Sequence, residues 1–98
     1  MDGIVTIAMD ITSLDEETKL TLDQEIEGMG LQKTLPASEG GTLYLPAGIY
    51  GSFIDSDNQT DERTHYYRSL VEIMRKLDLK GRYFISVATN PAVVCGTL

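Results

Sequence analysis

The fold follows from one strand-like segment near the start of the chain, Ile4-Val5-Thr6-Ile7-Ala8-Met9-Asp10-Ile11. Branched aliphatic residues at this density are typical of a β-strand. Side chains alternate between the two faces of a strand. One face is apolar and predicts the core side; it carries Val5, Ile7, Met9 and Ile11. The other face is mixed, which suits a surface that is solvated or covered by a partner; it carries Ile4, Thr6, Ala8 and Asp10.

A helix is predicted directly after this strand, from about Leu14 to Met29. Ser13 and Glu16 have the spacing of a capping box, in which each side chain satisfies a free backbone N–H group. An apolar stripe at helical spacing follows and includes Leu14, Leu22, Ile26 and Met29. Gly30 can adopt the left-handed conformation that ends a helix.

Two strands joined by a tight turn are predicted next. The first covers residues 31–35 and is ended by Pro36. The turn, residues 37–41, contains two glycines that allow positive φ angles. The second strand, residues 42–53, is the longest, but Pro46 and Gly48 interrupt it, which indicates a bulge or an edge position.

A polar loop at residues 55–59 leads to a second predicted helix, capped by Thr60 or Asp61 and ending near Leu79. Its apolar stripe consists of Tyr66, Leu70, Ile73 and Leu77, joined by Tyr67 and Met74. Residues 82–89 form the fourth strand, which Asn90-Pro91 ends. The tail, residues 90–98, is either loose or an extra short strand.

This order of elements, βαββαβ, predicts a single α+β domain over residues 1–98. The arrangement that satisfies every apolar face is ferredoxin-like, an antiparallel sheet with two helices on one face. The opposite face is then bare, and Ile4, Ala8 and Phe84 would form an apolar patch on it. We therefore expect a homodimer through the bare sheet face.

The net charge of −7 hides a strong asymmetry. Residues 1–62 carry thirteen acids against two bases, a net charge of −11, whereas residues 63–98 carry six bases against two acids, a net charge of +4. The acidic total argues against indiscriminate binding to nucleic acids or anionic membranes.

Three negative features predict a cytoplasmic protein that does not enter a membrane. No apolar run approaches the ~20 residues that a membrane helix needs. No signal peptide is visible after Met1. The single cysteine, Cys95, has no partner for an internal disulfide, which fits a reducing compartment.

Asp10 is the candidate for a catalytic or metal-binding residue, because it lies at the end of the first strand on the bare face. In a symmetric dimer two Asp10 carboxylates would hold Mg²⁺, as hydrolysis of a phosphodiester often requires. The alternative is that Asp10 accepts hydrogen bonds from backbone N–H groups in the turn that follows it.

The bases of the second half are candidates for contacts with RNA phosphates. They are Arg63, Arg68, Arg75, Lys76, Lys80 and Arg82. The alternative is that they only balance the acidic half, or form pairs such as Arg68–Glu72 within the helix. Tyr66, Tyr67 and Tyr83 have side chains that stack on bases, but their spacing favours core packing.

The chain resembles the GhoS-type endoribonuclease antitoxin family in five segments. They are Ile4–Asp10, the first helix, Gly30 followed by Leu31-Gln32-Lys33-Thr34, the sequence Tyr44-Leu45-Pro46-Ala47-Gly48-Ile49-Tyr50, and the second helix. The chain is more distantly similar to the small CRISPR-associated nuclease Cas2. The resemblance covers residues 4–89. It implies a ferredoxin-like module that cleaves or binds RNA. The similarity to Cas2 implies that Asp10 is the strand-end aspartate.

We thus expect an endoribonuclease or an RNA-binding antitoxin of bacterial or phage origin. The alternative from a different class is a non-catalytic protein-interaction module, either an inhibitor of a host protein or a mimic of nucleic acid, that uses its acidic half.

Overall fold

The computed structural model describes residues 3–11, 14–37, 40–55 and 58–89. The elements within these ranges are β1 (Gly3–Ile11), α1 (Glu16–Gly28), β2 (Thr34–Pro36), β3 (Thr42–Tyr44), β4 (Ile49–Ile54), α2 (Gln59–Lys76) and β5 (Gly81–Thr89). The predicted α+β fold with antiparallel sheets is confirmed. The tail with Cys95 lies outside the described residues. In the described ranges no helix is long and apolar enough to cross a membrane.

β1 is the middle strand of a three-stranded sheet with the order β4-β1-β5, and it is antiparallel to both neighbours. It pairs with β5 along its whole length, from Gly3↔Thr89 to Ile11↔Gly81. Its pairing with β4 runs only from Gly3↔Ile54 to Ala8↔Ile49. The end of β1 beyond Ala8 is therefore bordered by β5 and by the loop that precedes β4.

The prediction of one long strand over residues 42–53 is wrong. Residues 45–48 separate it into β3, which pairs with β2 in a sheet of two strands, and β4, which belongs to the larger sheet. The cause is local: Pro46 has no N–H group for strand pairing, and Gly48 has a φ of 80° that ends the extended conformation. The loop still contacts β1, because the Met9 N–H group donates to the Gly48 carbonyl oxygen at 2.8 Å.

Both helices begin at caps other than the predicted ones. Asp15, and not Ser13, caps α1 by accepting a hydrogen bond from the Thr18 N–H group at 2.7 Å. Asn58, and not Thr60 or Asp61, caps α2 by accepting from the Asp61 N–H group at 3.0 Å. Several residues in each stretch have side chains able to cap, so the sequence pattern was ambiguous.

The C-terminal end of α1 agrees with the prediction, whereas that of α2 does not. Gly30 follows α1 with a φ of 91°, as predicted. α2 ends at Lys76, earlier than the predicted Leu79, because Asp78 adopts a left-handed φ of 53°. The Leu79 N–H group then donates to the Met74 carbonyl oxygen at 2.8 Å, and the Asp78 N–H group donates to the Arg75 carbonyl oxygen at 3.2 Å. This pair of bonds is the Schellman motif.

The core lies between β1, β4 and the two helices. It consists of Val5, Ile7, Leu22, Ile26, Leu31, Tyr50, Tyr66, Leu70 and Ile73. The apolar face predicted for β1 is confirmed, since Val5 and Ile7 are fully buried and Met9 and Ile11 pack against the same cluster.

The other face of the sheet, here called the open face, carries Ile4, Thr6, Ala8 and Asp10. It is not as bare as predicted, because Ile4 is buried. Gly51 lies opposite Thr6 on β4, and a Cβ atom there would be 3.4 Å from Leu45 and 3.6 Å from Leu35. The chain around β2 and β3 thus covers part of this face. Phe84 remains 67% exposed.

Candidate nucleic-acid interface

Two tyrosine rings form an exposed pair where α2 meets β5. The ring centroids of Tyr67 and Tyr83 are 6.2 Å apart, and the side chains are 46% and 41% exposed. The prediction of core packing holds for Tyr66, which is buried, and is wrong for these two. Tyr67 follows Tyr66 and therefore lies about 100° further around the helix, at the margin of the apolar stripe.

The hydroxyl group of Tyr83 remains protonated near neutral pH. The pKa of Tyr83 is raised above its ordinary value. Partial desolvation is the largest cause, and the neighbouring Tyr67 contributes less. Tyr83 thus presents an uncharged aromatic ring with a hydroxyl group that can donate a hydrogen bond.

The tyrosine pair separates two concavities, and four of the predicted cations line them. The first has a volume of about 530 Å³ and includes Arg63 and Arg68. The second has a volume of about 430 Å³ and includes Arg75 and Lys80. Both rings line both concavities. We call this region the Tyr67–Tyr83 surface; it comprises Arg63, Tyr67, Arg68, Arg75, Lys80 and Tyr83.

The cations of this surface are available to a ligand. All four are exposed, and over the described part of the chain none of them forms an ion pair with a carboxylate. The predicted alternative pair between Arg68 and Glu72 is therefore not formed. A partner with phosphate groups would not have to break existing ion pairs in order to bind.

The remaining two cations of the predicted set lie elsewhere. The Lys76 ammonium group contacts the Glu25 carboxylate of α1 at 2.5 Å, so it joins the two helices. As a surface ion pair it contributes roughly 0–1 kcal/mol. Arg82 lies on the open face, opposite Asp10. Of the six predicted RNA-binding cations, four therefore lie around the tyrosine pair and two lie elsewhere.

Asp10 is exposed at the end of β1, next to a groove of about 330 Å³. Arg82 and Phe84 line the same groove, together with Ala47 and Gly48 of the loop before β4. Among residues that the structure describes, no three His, Cys, Asp or Glu side chains are placed to hold a metal ion. A Mg²⁺ site at Asp10 stays a prediction. The backbone groups of residues 12 and 13, which the alternative for Asp10 involves, lie outside the described residues.

The position of Arg82 depends on close contact between β1 and β5. Gly81 precedes it, and a Cβ atom at Gly81 would overlap the Asp10 carbonyl oxygen and lie 2.9 Å from Cα of Ile11. Only glycine permits this approach of the two backbones.

A buried polar cluster was missed by the sequence analysis. Asp23 of α1 is only 9% exposed, and it accepts hydrogen bonds from the Tyr50 hydroxyl at 2.5 Å and from the Lys33 ammonium at 2.6 Å. Burial by itself raises the pKa of Asp23, but the bonds from Lys33 and Tyr50 outweigh it and leave the pKa below its usual value. Burial, and then Asp23, raise the pKa of Tyr50. The cluster connects α1 with β4 and with the start of the hairpin.

Comparisons with protein-family models, curated proteins and solved structures found no match for this chain. The function proposed below is therefore derived from the geometry and charges described above.

Proposed function

We propose that this protein binds single-stranded RNA through the Tyr67–Tyr83 surface. The observation that carries the proposal is the exposed tyrosine pair with cations on both sides of it. Aromatic rings stack on unpaired bases, and each such contact contributes about 1–3 kcal/mol. Arg63, Arg68, Arg75 and Lys80 are placed to contact the phosphates that flank the stacked bases.

The acidic total of −7 is compatible with such a site. Charges are screened over about 10 Å at 0.1 M salt, so nearby charges determine the potential at the tyrosine pair. Around the two concavities these are four cations and one acid, Asp78. The exposed acids of α1, which are Glu16, Glu17 and Glu27, repel phosphates and disfavour contacts of RNA with that helix. We expect moderate affinity that falls as salt is added.

The fold we propose for this binder is the ferredoxin-like one, with both helices on one sheet face. In support, β1 lies between β4 and β5, and Gln32, just before β2, forms a bridge with Gly51 on β4. Val5 and Ile7 of β1 share one core cluster with residues of both helices.

An endoribonuclease activity at Asp10, as part of an antitoxin, is a second proposal. It requires two copies joined through the open face, so that their Asp10 side chains hold one Mg²⁺ ion. The exposed Asp10 and the exposed Phe84 beside it support this assembly. Magnesium-dependent cleavage of labelled RNA that Asp10→Asn abolishes would support it; cleavage that persists in the variant would contradict it.

Fluorescence anisotropy with labelled oligouridine tests the RNA proposal. We expect Tyr67→Ala and Tyr83→Ala each to weaken binding about five- to hundredfold, the range that corresponds to one lost stacking contact. Tyr44→Ala is the matched control, because Tyr44 is 75% exposed on β3 and lies on neither concavity. If all three variants bind like the wild type, the Tyr67–Tyr83 surface is not the RNA site.

The alternative, a protein-interaction module, is favoured by a different surface. α1 exposes Leu20, which is 61% accessible, among the exposed acids Glu16, Glu17 and Glu27. A protein that mimics nucleic acid would present such an acidic helix to a basic partner. If the wild type shows no RNA binding at low salt, this alternative replaces the RNA proposal.

A further inference from the structure

The groove beside Asp10 has the chemistry of a base-binding site. Residues directly opposite each other in an antiparallel pair lie on the same face. Arg82 lies opposite Asp10, and Phe84 lies opposite Ala8, so all of these residues share the open face. A carboxylate, a guanidinium group and an aromatic ring that is 67% exposed therefore line one groove of about 330 Å³.

Asp10 and Arg82 do not form an ion pair with each other. Among the described residues, neither Asp10 nor Arg82 takes part in an ion pair or a side-chain hydrogen bond. Toward the described part of the chain, both side chains thus keep their hydrogen-bonding capacity, and they suit a ligand that offers donors to the carboxylate and an acceptor to the guanidinium.

This groove and the Tyr67–Tyr83 surface lie on opposite faces of the sheet and meet at Tyr83 of β5. Tyr83 lines the groove as well as both tyrosine-pair concavities. Because side chains alternate along β5, Arg82 and Phe84 point to the opposite face from Tyr83. Among the described strands β5 is at the edge of the sheet, so a single strand of RNA that crosses this edge would contact both faces.

We propose that the groove binds one unpaired guanine of the RNA, an inference that rests on the proposed RNA-binding function. Guanine presents two adjacent donors, N1–H and N2–H, which match the two oxygens of the Asp10 carboxylate. The neighbouring O6 acceptor faces Arg82, whose guanidinium donates to guanine O6 in many complexes. Phe84 supplies the surface on which the base stacks.

The other bases fit the groove less well. Adenine and cytosine each place an amino donor beside an acceptor nitrogen, and that acceptor would face a carboxylate oxygen. Uracil has one donor between two acceptors. Each of these bases would leave Asp10 with at most one hydrogen bond, and a charged group that loses a partner loses affinity.

Anisotropy with a set of labelled heptamers tests the inference. Six positions are uridine, and the central base is guanine, inosine, adenine or uridine. We expect wild-type protein to prefer the guanine heptamer over the adenine one by about ten- to hundredfold, the range for one bidentate base contact. Inosine lacks the N2 amino group and should fall between them.

Asp10→Asn should remove the guanine preference, because the amide offers the base a donor in place of one acceptor oxygen. Glu27→Gln is the control for charge, since it removes one exposed acid of α1 that is remote in sequence from the groove. We expect Glu27→Gln to keep the ratio of the guanine and adenine affinities.

The outcomes separate this inference from the function on which it rests. If no heptamer binds at low salt, the RNA-binding function itself is wrong. If all heptamers bind equally and Tyr67→Ala still weakens them, RNA binding stands and the guanine site is wrong. A guanine preference that survives Asp10→Asn would also overturn the assignment of Asp10.

Discussion

The Tyr50 hydroxyl donates a 2.5 Å hydrogen bond to Oδ1 of Asp23, and through it β4 is joined to α1 inside the core. The two residues are separated by 27 positions in the sequence. Because Asp23 is 9% exposed, water cannot readily replace either partner of this bond.

Tyr50→Phe removes the donor and leaves a buried carboxylate with Lys33 as its remaining side-chain partner. We expect the free energy of unfolding to fall by about 1–3 kcal/mol, the cost of an unsatisfied buried polar group. Urea denaturation followed by circular dichroism measures it. Tyr44→Phe is the matched control and should change the free energy by less than about 0.5 kcal/mol, because Tyr44 is exposed.

The same cluster predicts how stability depends on pH. The pKa of Asp23 is lowered in the folded protein. The ionised form is thus favoured by folding, and its contribution is present above the ordinary pKa of 3.8 and lost as the pH falls through the lower folded value. Asp23→Asn should therefore flatten the acid side of the stability profile, measured by urea midpoints between pH 2 and pH 7.

Tyr50 acts at the opposite end of this profile. Its pKa is raised in the folded state, so its contribution to stability is complete below the ordinary value of 10 and is lost as the pH rises further.

Glu17→Gln is the control for the Asp23→Asn variant, because it removes an exposed acid of the same helix. An acid slope that Asp23→Asn leaves unchanged would contradict the role of the cluster.

Leu70 of α2 is fully buried in the centre of the core cluster. Leu70→Ala should lower the free energy of unfolding by about 2–5 kcal/mol, because it removes packed atoms and leaves a cavity. Leu20→Ala removes the same atoms from an exposed site on α1. Similar losses in the two variants would contradict a core position for Leu70.

Asp78 ends α2 in a left-handed conformation that costs a residue other than glycine about 1 kcal/mol. Its negative charge is also unfavourable near the C-terminus of a helix. We expect Asp78→Gly to raise the melting temperature, with a gain of about 0.5–1 kcal/mol, since glycine adopts this φ freely. Asp78→Val should have the opposite sign. Equal effects of the two changes would exclude backbone strain as the cause.

Arg68 provides a test of the phosphate contacts. Arg68→Gln should reduce the slope of log affinity against log salt by about 0.7, the value for one phosphate of a single strand. Lys19→Gln is the control, because Lys19 is an exposed base on α1 that lies on neither concavity. A slope reduced equally by both variants would indicate unspecific electrostatic attraction.

The parts of the fold that were predictable from the sequence are those set by local periodicity. The alternation in residues 4–11 identified the buried face of β1, and the glycine at position 30 marked the end of α1. The caps at Asp15 and Asn58 were missed because neighbouring side chains have the same capping chemistry.

The features that escaped prediction depend on contacts between distant segments. Asp23 looked like one more acid of an acidic helix, since Tyr50 and Lys33, which bind it, come from other parts of the chain. Tyr67 and Tyr83 were assigned to the core, because the spacing of apolar residues does not show how far along the sheet α2 shields side chains from solvent. The ion pair of Lys76 with Glu25 of α1 was not predictable either, because the two residues lie 51 positions apart in the chain.

The contact between Gly81 and the Asp10 backbone has a consequence for finding other proteins with this groove. A side chain at position 81 would push β5 away from β1 and carry Arg82 away from Asp10. Proteins that share the groove should therefore keep a glycine immediately before the arginine. Two sequence features together would identify them better than overall sequence identity. The first is an acid at the end of the first strand, and the second is a Gly-Arg-x-aromatic sequence at the start of the last strand.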